Sequence, residues 1–237
     1  MPLPLIGIEA LVKAYPALRP LRIKSLSADA ADRIVLRGFD EGAAEMFIHL
    51  VTGASVPDEG IVRIAGRATT EIATDTEWLT SLDRFGIVTN RAVLIDKLSL
   101  ASNLALPLTV SIDPVPPHIR ATVDGLAKDA GLAADLVERE VAVLNEEQRL
   151  RLHLARAIAN KPELVLLEHP TAKLGGDEAA AERVGRTLAT LADSRGFGWI
   201  ALTEDEAFAA AAGGRVLGLN AATGELAEPK RGWRKWF

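Results

Sequence analysis

Residues Gly38 to Glu45 have the spacing of a phosphate-binding loop but a different set of side chains. Such a loop reads G-x-x-x-x-G-K-[ST]: backbone N–H groups hold phosphate, the lysine contacts the β and γ oxygens, and the hydroxyl contacts Mg²⁺. Here Ala44 stands at the lysine position and Glu45 at the hydroxyl position. With Asp40 and Glu41, Glu45 brings carboxylates to a predicted helix N-terminus, where the helix dipole would otherwise favour phosphate. The loop therefore predicts a site that excludes ATP.

The neighbouring segments supply the strand, turn and helix that such a loop needs. A short apolar strand ends at Gly38, and an apolar helical stretch follows it. Strands that alternate with helices predict an α/β fold with a mainly parallel sheet. The predicted segments are strands at 6–12, 21–26, 33–37, 164–167 and 198–203, a mainly helical region at 91–155 and an alanine-rich helix at 178–194.

Composition narrows the class of protein. The 237-residue chain is 49% hydrophobic and 25% charged, enough for a large core in one domain or in a domain with an insert. A net charge of −5 gives no overall attraction to nucleic acid, so we expect no nucleic-acid partner. The lack of cysteine excludes disulfides and thiolate metal sites. Because the chain has no basic leader and no run of about 18 apolar residues, we expect a cytoplasmic protein.

Six landmarks follow one another in a recognisable order. They are Gly38 to Gly53, the Pro57-Asp58-Glu59-Gly60 turn with Gly66-Arg67, Asn103 to Pro107, Gln148-Arg149, Ala155 to Pro162, and Pro170-Thr171. In these landmarks the chain resembles the ATPase subunit of ATP-binding-cassette (ABC) transporters over residues 6–226. The resemblance implies an α/β, P-loop NTPase-like (RecA-like) fold, with a mainly parallel sheet core, a helical subdomain and an antiparallel N-terminal β portion. The core would comprise 1–90 and 156–228, the subdomain 91–155, and a basic aromatic tail 229–237.

Six positions that carry the nucleotide chemistry of that family hold other residues here. The aromatic residue that stacks on adenine is retained as Tyr15, and Gly38 and Gly42 remain in the loop. The six replacements are Ala44 for the lysine, Glu45 for the hydroxyl residue, Asn90 for the Q-loop glutamine, Glu168 for the metal-supporting aspartate, His169 for the catalytic glutamate and Glu204 for the switch histidine.

These replacements bear directly on catalysis, because phosphoryl transfer depends on positioning and charge stabilisation. Removal of one preorganised donor costs about 10²–10³ in rate. We therefore predict no catalytic residue, no hydrolysis and no bound cofactor. Under the alternative interpretation, ATP and Mg²⁺ would still bind through Tyr15, Gly38 and Gly42. His169 beside Glu168 permits a metal pair or an unusual base, but adjacent strand residues point to opposite faces, which favours an ordinary residue.

The signature segment, Leu-Ser-Gly-Gly-Gln in the family, reads Leu144-Asn145-Glu146-Glu147-Gln148. In a closed homodimer the loop carboxylates would face Glu146 and Glu147. Like charges about 4 Å apart repel by about 1 kcal/mol in water and about 4 kcal/mol at an effective dielectric near 20. We predict no ATP-driven homodimer closure. Two origins of the carboxylates stay open: they bind a divalent cation or a basic partner, or they arose by drift once ATP binding was lost.

The segment 229–237 is the only strongly basic stretch of the sequence, and it contains Trp233, Trp236 and Phe237. Cationic residues interleaved with aromatic rings suit a membrane interface or a pocket on a partner. We expect this tail to dock on a neighbouring subunit, on the protein's own core or on lipid headgroups.

Three functions are compatible with these observations. The first is a catalytically inactive ABC ATPase-like subunit, or pseudo-ATPase, on the inner face of the cytoplasmic membrane. It would contact an integral-membrane ABC permease through Asn90, Leu94 and Leu98, and pair with a competent ATPase or with itself. The second is an unorthodox nucleotide-binding ATPase that still energises transport, and the third is a free-standing scaffold. Ala44 and Glu45 favour the first.

Overall fold

Residues 3–229, which the computed structural model describes, form ten strands and seven α-helices. The strands are Ile6–Lys13 (β1), Leu21–Ala28 (β2), Arg33–Arg37 (β3), Glu59–Ile64 (β4), Arg67–Ala68 (β5), Phe85–Val88 (β6), Leu164–Glu168 (β7), Gly198–Leu202 (β8), Arg215–Asn220 (β9) and Glu225–Ala227 (β10). The helices are Glu41–Val51 (α1), Asp75–Leu82 (α2), Leu100–Ala105 (α3), Pro117–Asp129 (α4), Glu146–Ala157 (α5), Glu178–Arg195 (α6) and Glu206–Ala212 (α7).

A six-stranded sheet in the order β10-β9-β3-β8-β7-β6 forms the centre of the fold. All of its neighbouring strands pair in parallel, except β10, which runs antiparallel to β9. β7 and β8 are buried along their whole length, as their continuous apolar sequences predict. Because the strands are parallel, the segments that follow β3, β6, β7 and β8 meet at one edge of the sheet. That edge carries the candidate site.

The N-terminal strands form a separate antiparallel sheet in the order β2-β1-β4-β5. Its apolar side chains share one core cluster with α1 and with β3, and Phe47 of α1 is fully buried there. Phe39 packs edge-on against Phe47, with 5.7 Å between ring centroids. The predicted antiparallel N-terminal portion is therefore confirmed, together with the mainly parallel α/β core.

The predicted helical region at 91–155 is only partly helical. Helices α3, α4 and α5 pack together around a second core cluster that includes Leu104, Leu126 and Leu152. Residues 91–99, in contrast, form no helix. Their backbone groups bond instead to a later segment: Val141 N–H donates to Leu98 O at 3.0 Å, and Ala142 N–H donates to Asp96 O at 3.1 Å. These long-range bonds replace local helical ones.

Candidate functional site

The glycine loop joins β3 to α1, and two of its backbone N–H groups donate to carboxylates of the same chain. Gly38 has a φ of 84°, and its N–H donates to Glu204 Oε1 at 2.6 Å. A Cβ on Gly38 would lie 2.9 Å from the carbonyl oxygen of Leu219, so glycine is required here. Ala43 N–H donates to Asp40 Oδ1 at 2.7 Å, which makes Asp40 the N-cap of α1. Two backbone N–H groups that could bind an anion are therefore already bonded to carboxylates of the chain.

Tyr15 is half-buried against the same loop. A Cβ on Gly42 would lie 3.1 Å from ring carbons of Tyr15, so the ring rests directly on this glycine. The Tyr15 hydroxyl donates to Asp40 Oδ2 at 3.3 Å. Burial raises the pKa of the Tyr15 phenol, and the nearby Asp40 charge raises it further. Tyr15 therefore contacts the loop through both its ring and its hydroxyl.

Arg91 bridges the end of β7 and the first turns of α1. Its Nη1 and Nη2 donate to the two carboxylate oxygens of Glu168, each at 2.6 Å. Nη1 also lies 3.4 Å from Glu45 Oε2. The Glu168 side chain is only 5% exposed, and burial of an unpaired carboxylate there would be costly. The guanidinium therefore supplies the positive charge between two acidic side chains.

Asn90 and His169 lie beside this bridge. The Asn90 amide donates to the carbonyl oxygen of His169 at 3.4 Å. His169 follows β7 directly with a φ of 41°, an uncommon value outside glycine, so the alternation of strand side chains does not extend to it. Its Nε2 is buried and has no hydrogen-bond partner in the described part of the chain. Within residues 3–229, no three His, Asp or Glu side chains converge to hold a metal ion.

Glu147 of the signature segment is paired within its own subunit. It follows Asn145, which caps α5 in a capping box with Gln148. Glu147 accepts hydrogen bonds from Arg151 Nη2 at 2.9 Å and from Arg183 Nη2 at 2.7 Å. The hydrogen bonds from Arg183 and then from Arg151 lower the pKa of the Glu147 carboxyl, against the opposing effect of its partial burial. The charge of Glu147 is thus neutralised between α5 and α6.

A groove of about 500 Å³ lies beside residues 91–95 and is lined by apolar side chains together with Arg156. Its lining includes Val93, Ile95, Leu106 and Pro107, and the Val93 side chain is 73% exposed. Leu94, expected from sequence to contact a partner, is buried instead. Val93, Ile95 and Leu106 thus form a small exposed apolar area at this groove.

The other residues expected to contact a partner are placed as follows. Leu98 is half-buried and Asn90 is exposed. Trp233, Trp236 and Phe237 lie outside the described residues.

A second cavity, of about 580 Å³, lies between the Arg91 segment and α5. His153 lines it, together with Arg149 and Lys173. Burial lowers the pKa of His153 to about 4, and the charge of Arg156 is the next cause. The imidazole is therefore neutral at physiological pH, in a cavity where cationic side chains oppose its protonation.

Comparison with known proteins agrees with this fold. The ABC transporter family model matches residues 46–172, more than half of the chain, so the chain belongs to the ABC transporter family. The lipoprotein-releasing system ATP-binding protein LolD of Alcanivorax borkumensis is 28% identical over 212 residues, which cover 87% of this chain and 91% of that protein. The sulfate/thiosulfate import ATP-binding protein CysA 2 of Chromobacterium violaceum is 28% identical over 220 residues, 91% of this chain and 56% of that protein.

A solved structure shows the same architecture. cbiO1 from Clostridium perfringens, part of the ABC transporter complex cbiONQ, has a TM-score of 0.75 at 18% identity, covering 94% of this chain and 86% of that chain. The chain accordingly has the P-loop NTPase fold of ABC ATPase cassettes. Among residues 3–229, no helix combines the length and the apolar character needed to cross a membrane.

Sequence reasoning missed Arg91, the residue that joins Glu168 to Glu45. It found the acidic residues at positions 45 and 168 and left a divalent cation or a basic partner open for the loop carboxylates, but it named no cationic side chain of the same chain. One signal was available, because Arg91 directly follows Asn90, a position that the family resemblance already counts among those that carry the nucleotide chemistry. Two carboxylates and an adjacent arginine at one edge of the sheet form a complementary set.

Proposed function

We propose that this chain is a catalytically inactive ABC ATPase-like subunit that acts as a structural or regulatory partner in a transporter complex. The observation that carries the proposal is the Arg91 guanidinium between Glu168 and Glu45. In P-loop NTPases, Mg²⁺ is held by the loop hydroxyl and by a metal-supporting aspartate, and the family resemblance places Glu45 and Glu168 at these two positions. A cationic side chain at that place opposes the binding of a divalent cation.

The phosphate side of the site supports the same proposal. Ala44 has no charge to offer, and it is fully buried in the core. The N–H groups of Gly38 and Ala43 donate to Glu204 and Asp40, so a phosphate would have to displace a carboxylate at each. Displacement would also place the negative charge of ATP next to these same carboxylates, which costs about 1–4 kcal/mol per close pair. These residues therefore do not fit Mg²⁺-ATP.

The groove that contains Val93, Ile95 and Leu106 is the surface we assign to an integral-membrane ABC permease. Membership of the ABC transporter family and the exposed apolar side chains of the groove support this assignment. The subunit would act on the inner face of the cytoplasmic membrane, beside a competent ABC ATPase or as a dimer with itself.

Phosphate release from ATP by the purified chain tests the proposal. The matched control is the LolD protein of Alcanivorax borkumensis, assayed in the same buffer with Mg²⁺. We expect no release above the buffer background from this chain. Turnover within tenfold of the control would refute inactivity and would favour the unorthodox ATPase, provided that Glu168→Gln in this chain abolishes that turnover.

A further inference from the structure

We propose that Arg91 is a built-in replacement for the divalent cation, and that it fixes the groove segment 91–95 without metal or nucleotide. This inference rests on the proposed function, but it concerns a site and a readout that need no ATP. Its geometric basis is the two-pronged pairing of Arg91 with Glu168 and the contact of its Nη1 with Glu45. One side chain thereby joins the segment to both β7 and α1.

The segment is held at every second residue. Arg91 is fixed through its side chain to Glu168, and the carbonyl oxygen of Val93 accepts from Arg156 Nη1 at 2.9 Å. Ile95 is clamped through both backbone groups: its N–H donates to Asn103 Oδ1 at 2.8 Å, and its carbonyl accepts from Asn103 Nδ2 at 3.1 Å. The side chains of Val93 and Ile95 remain exposed beside the groove. Polar contacts therefore hold the backbone and leave the apolar side chains free to dock.

The chemistry of the bridge explains why an arginine can take the place of a metal ion here. A guanidinium carries a fixed positive charge and presents parallel donors that match a carboxylate. Unlike an ion, it is covalently part of the chain, so the contact between Glu168, Glu45 and the segment does not depend on the concentration of free metal. Removal of the charge would leave Glu168 and Glu45 with no cation between them, so that the two carboxylates repel each other and attract a divalent cation.

Manganese binding, measured by electron paramagnetic resonance without nucleotide, tests this inference. The variants are Arg91→Met, which removes the charge, and Arg91→Lys, which keeps it. We expect the native chain and Arg91→Lys to bind Mn²⁺ at least tenfold more weakly than Arg91→Met. We also expect Arg91→Met/Glu168→Gln to lose the gained binding, which would locate it at Glu168.

Two results would overturn the inference. One is tight Mn²⁺ binding by the native chain that Glu168→Gln removes, because Arg91 would then not replace the ion. The other is no gain in a folded Arg91→Met. If Arg91→Met does not fold, the Mn²⁺ affinities of the native chain and of Arg91→Lys still test the first of these results.

Amide exchange of residues 91–95 in the native chain supplies a second test. We expect exchange rates that change less than twofold when Mn²⁺ is added. A tenfold slowing would contradict a segment that is already fixed without metal.

Failure here is distinguishable from failure of the proposed function. Native ATP hydrolysis would refute inactivity whatever the manganese result. A folded Arg91→Met that gains no Mn²⁺ would overturn the cation role of Arg91 while leaving the inactivity of the native chain intact.

Discussion

Glu147→Gln should destabilise the protein, because Glu147 joins the signature helix α5 to α6. The Glu147 and Arg151 side chains are 19% and 14% exposed, whereas Arg183 is 46% exposed. A hydrogen bond to a charged group contributes about 1.5–3 kcal/mol, and an exposed ion pair about 0–1 kcal/mol. We therefore expect Glu147→Gln to lower the free energy of unfolding by about 2 kcal/mol at pH 7, and Arg183→Gln by less than about 1 kcal/mol.

The stability difference between the native chain and Glu147→Gln should depend on pH in a definite direction. Because the folded-state pKa of Glu147 is lowered from its usual 4.5, its contribution is fully present above that pH and is lost as the pH falls through the folded value. Urea unfolding at several pH values should show a gap between native and Glu147→Gln that narrows below about pH 4.5. A Glu147→Gln variant within about 0.5 kcal/mol of native at pH 7 would refute the reasoning. So would a gap that does not change with pH.

Two further predictions concern His153, in the second cavity, and Asn103, which bonds to Ile95 of the groove. Because the pKa of His153 is lowered to about 4 in the folded chain, the imidazole binds a proton in the unfolded chain at a higher pH than in the folded one. The free energy of unfolding should therefore fall as the pH drops from about 6.5 to 4. In urea unfolding curves, His153→Gln should reduce this fall by roughly 1–2 kcal/mol, a figure that allows for solvent near the ring. Asn103 is fully buried and bonds to Ile95 and to Ser99 O, so Asn103→Ala should cost about 2–4 kcal/mol and speed amide exchange at Ile95; unchanged exchange there would show that the clamp is not needed.

Local patterns predicted the framework of this fold well. The apolar strands β3, β7 and β8 form within one or two residues of their predicted limits, because burial on both faces leaves a continuous apolar sequence. The helix α6 also forms within one or two residues of its predicted limits. The glycine turn at Gly38 was equally readable, because its positive φ and the nearby backbone exclude other residues.

Contacts between distant residues could not be predicted in the same way. The bridge from Arg91 to Glu168 and the bond from Gly38 to Glu204 join segments that are 77 and 166 residues apart. They depend on which strands are neighbours and on where each strand ends, and no local pattern encodes either. The same limitation explains the irregular segment at 91–99, where bonds to residues 141 and 142 outweigh helical propensity. The expected repulsion at a dimer interface stays a prediction, and Arg91 and Arg183 would weaken it because they partly neutralise Glu45 and Glu147.

Binding of ATP with Mg²⁺ to the purified chain, measured by calorimetry, tests most directly the claim that this site does not hold nucleotide. The restoration control is Ala44→Lys/Glu45→Ser, which returns the lysine and the hydroxyl and removes one partner of Arg91. We predict no detectable heat of binding from the native chain at ATP concentrations up to about 1 mM. A dissociation constant of about 1 mM corresponds to a binding free energy of about −4 kcal/mol. Micromolar binding by the native chain would contradict the account, because nucleotide would then displace the carboxylates that now occupy the loop.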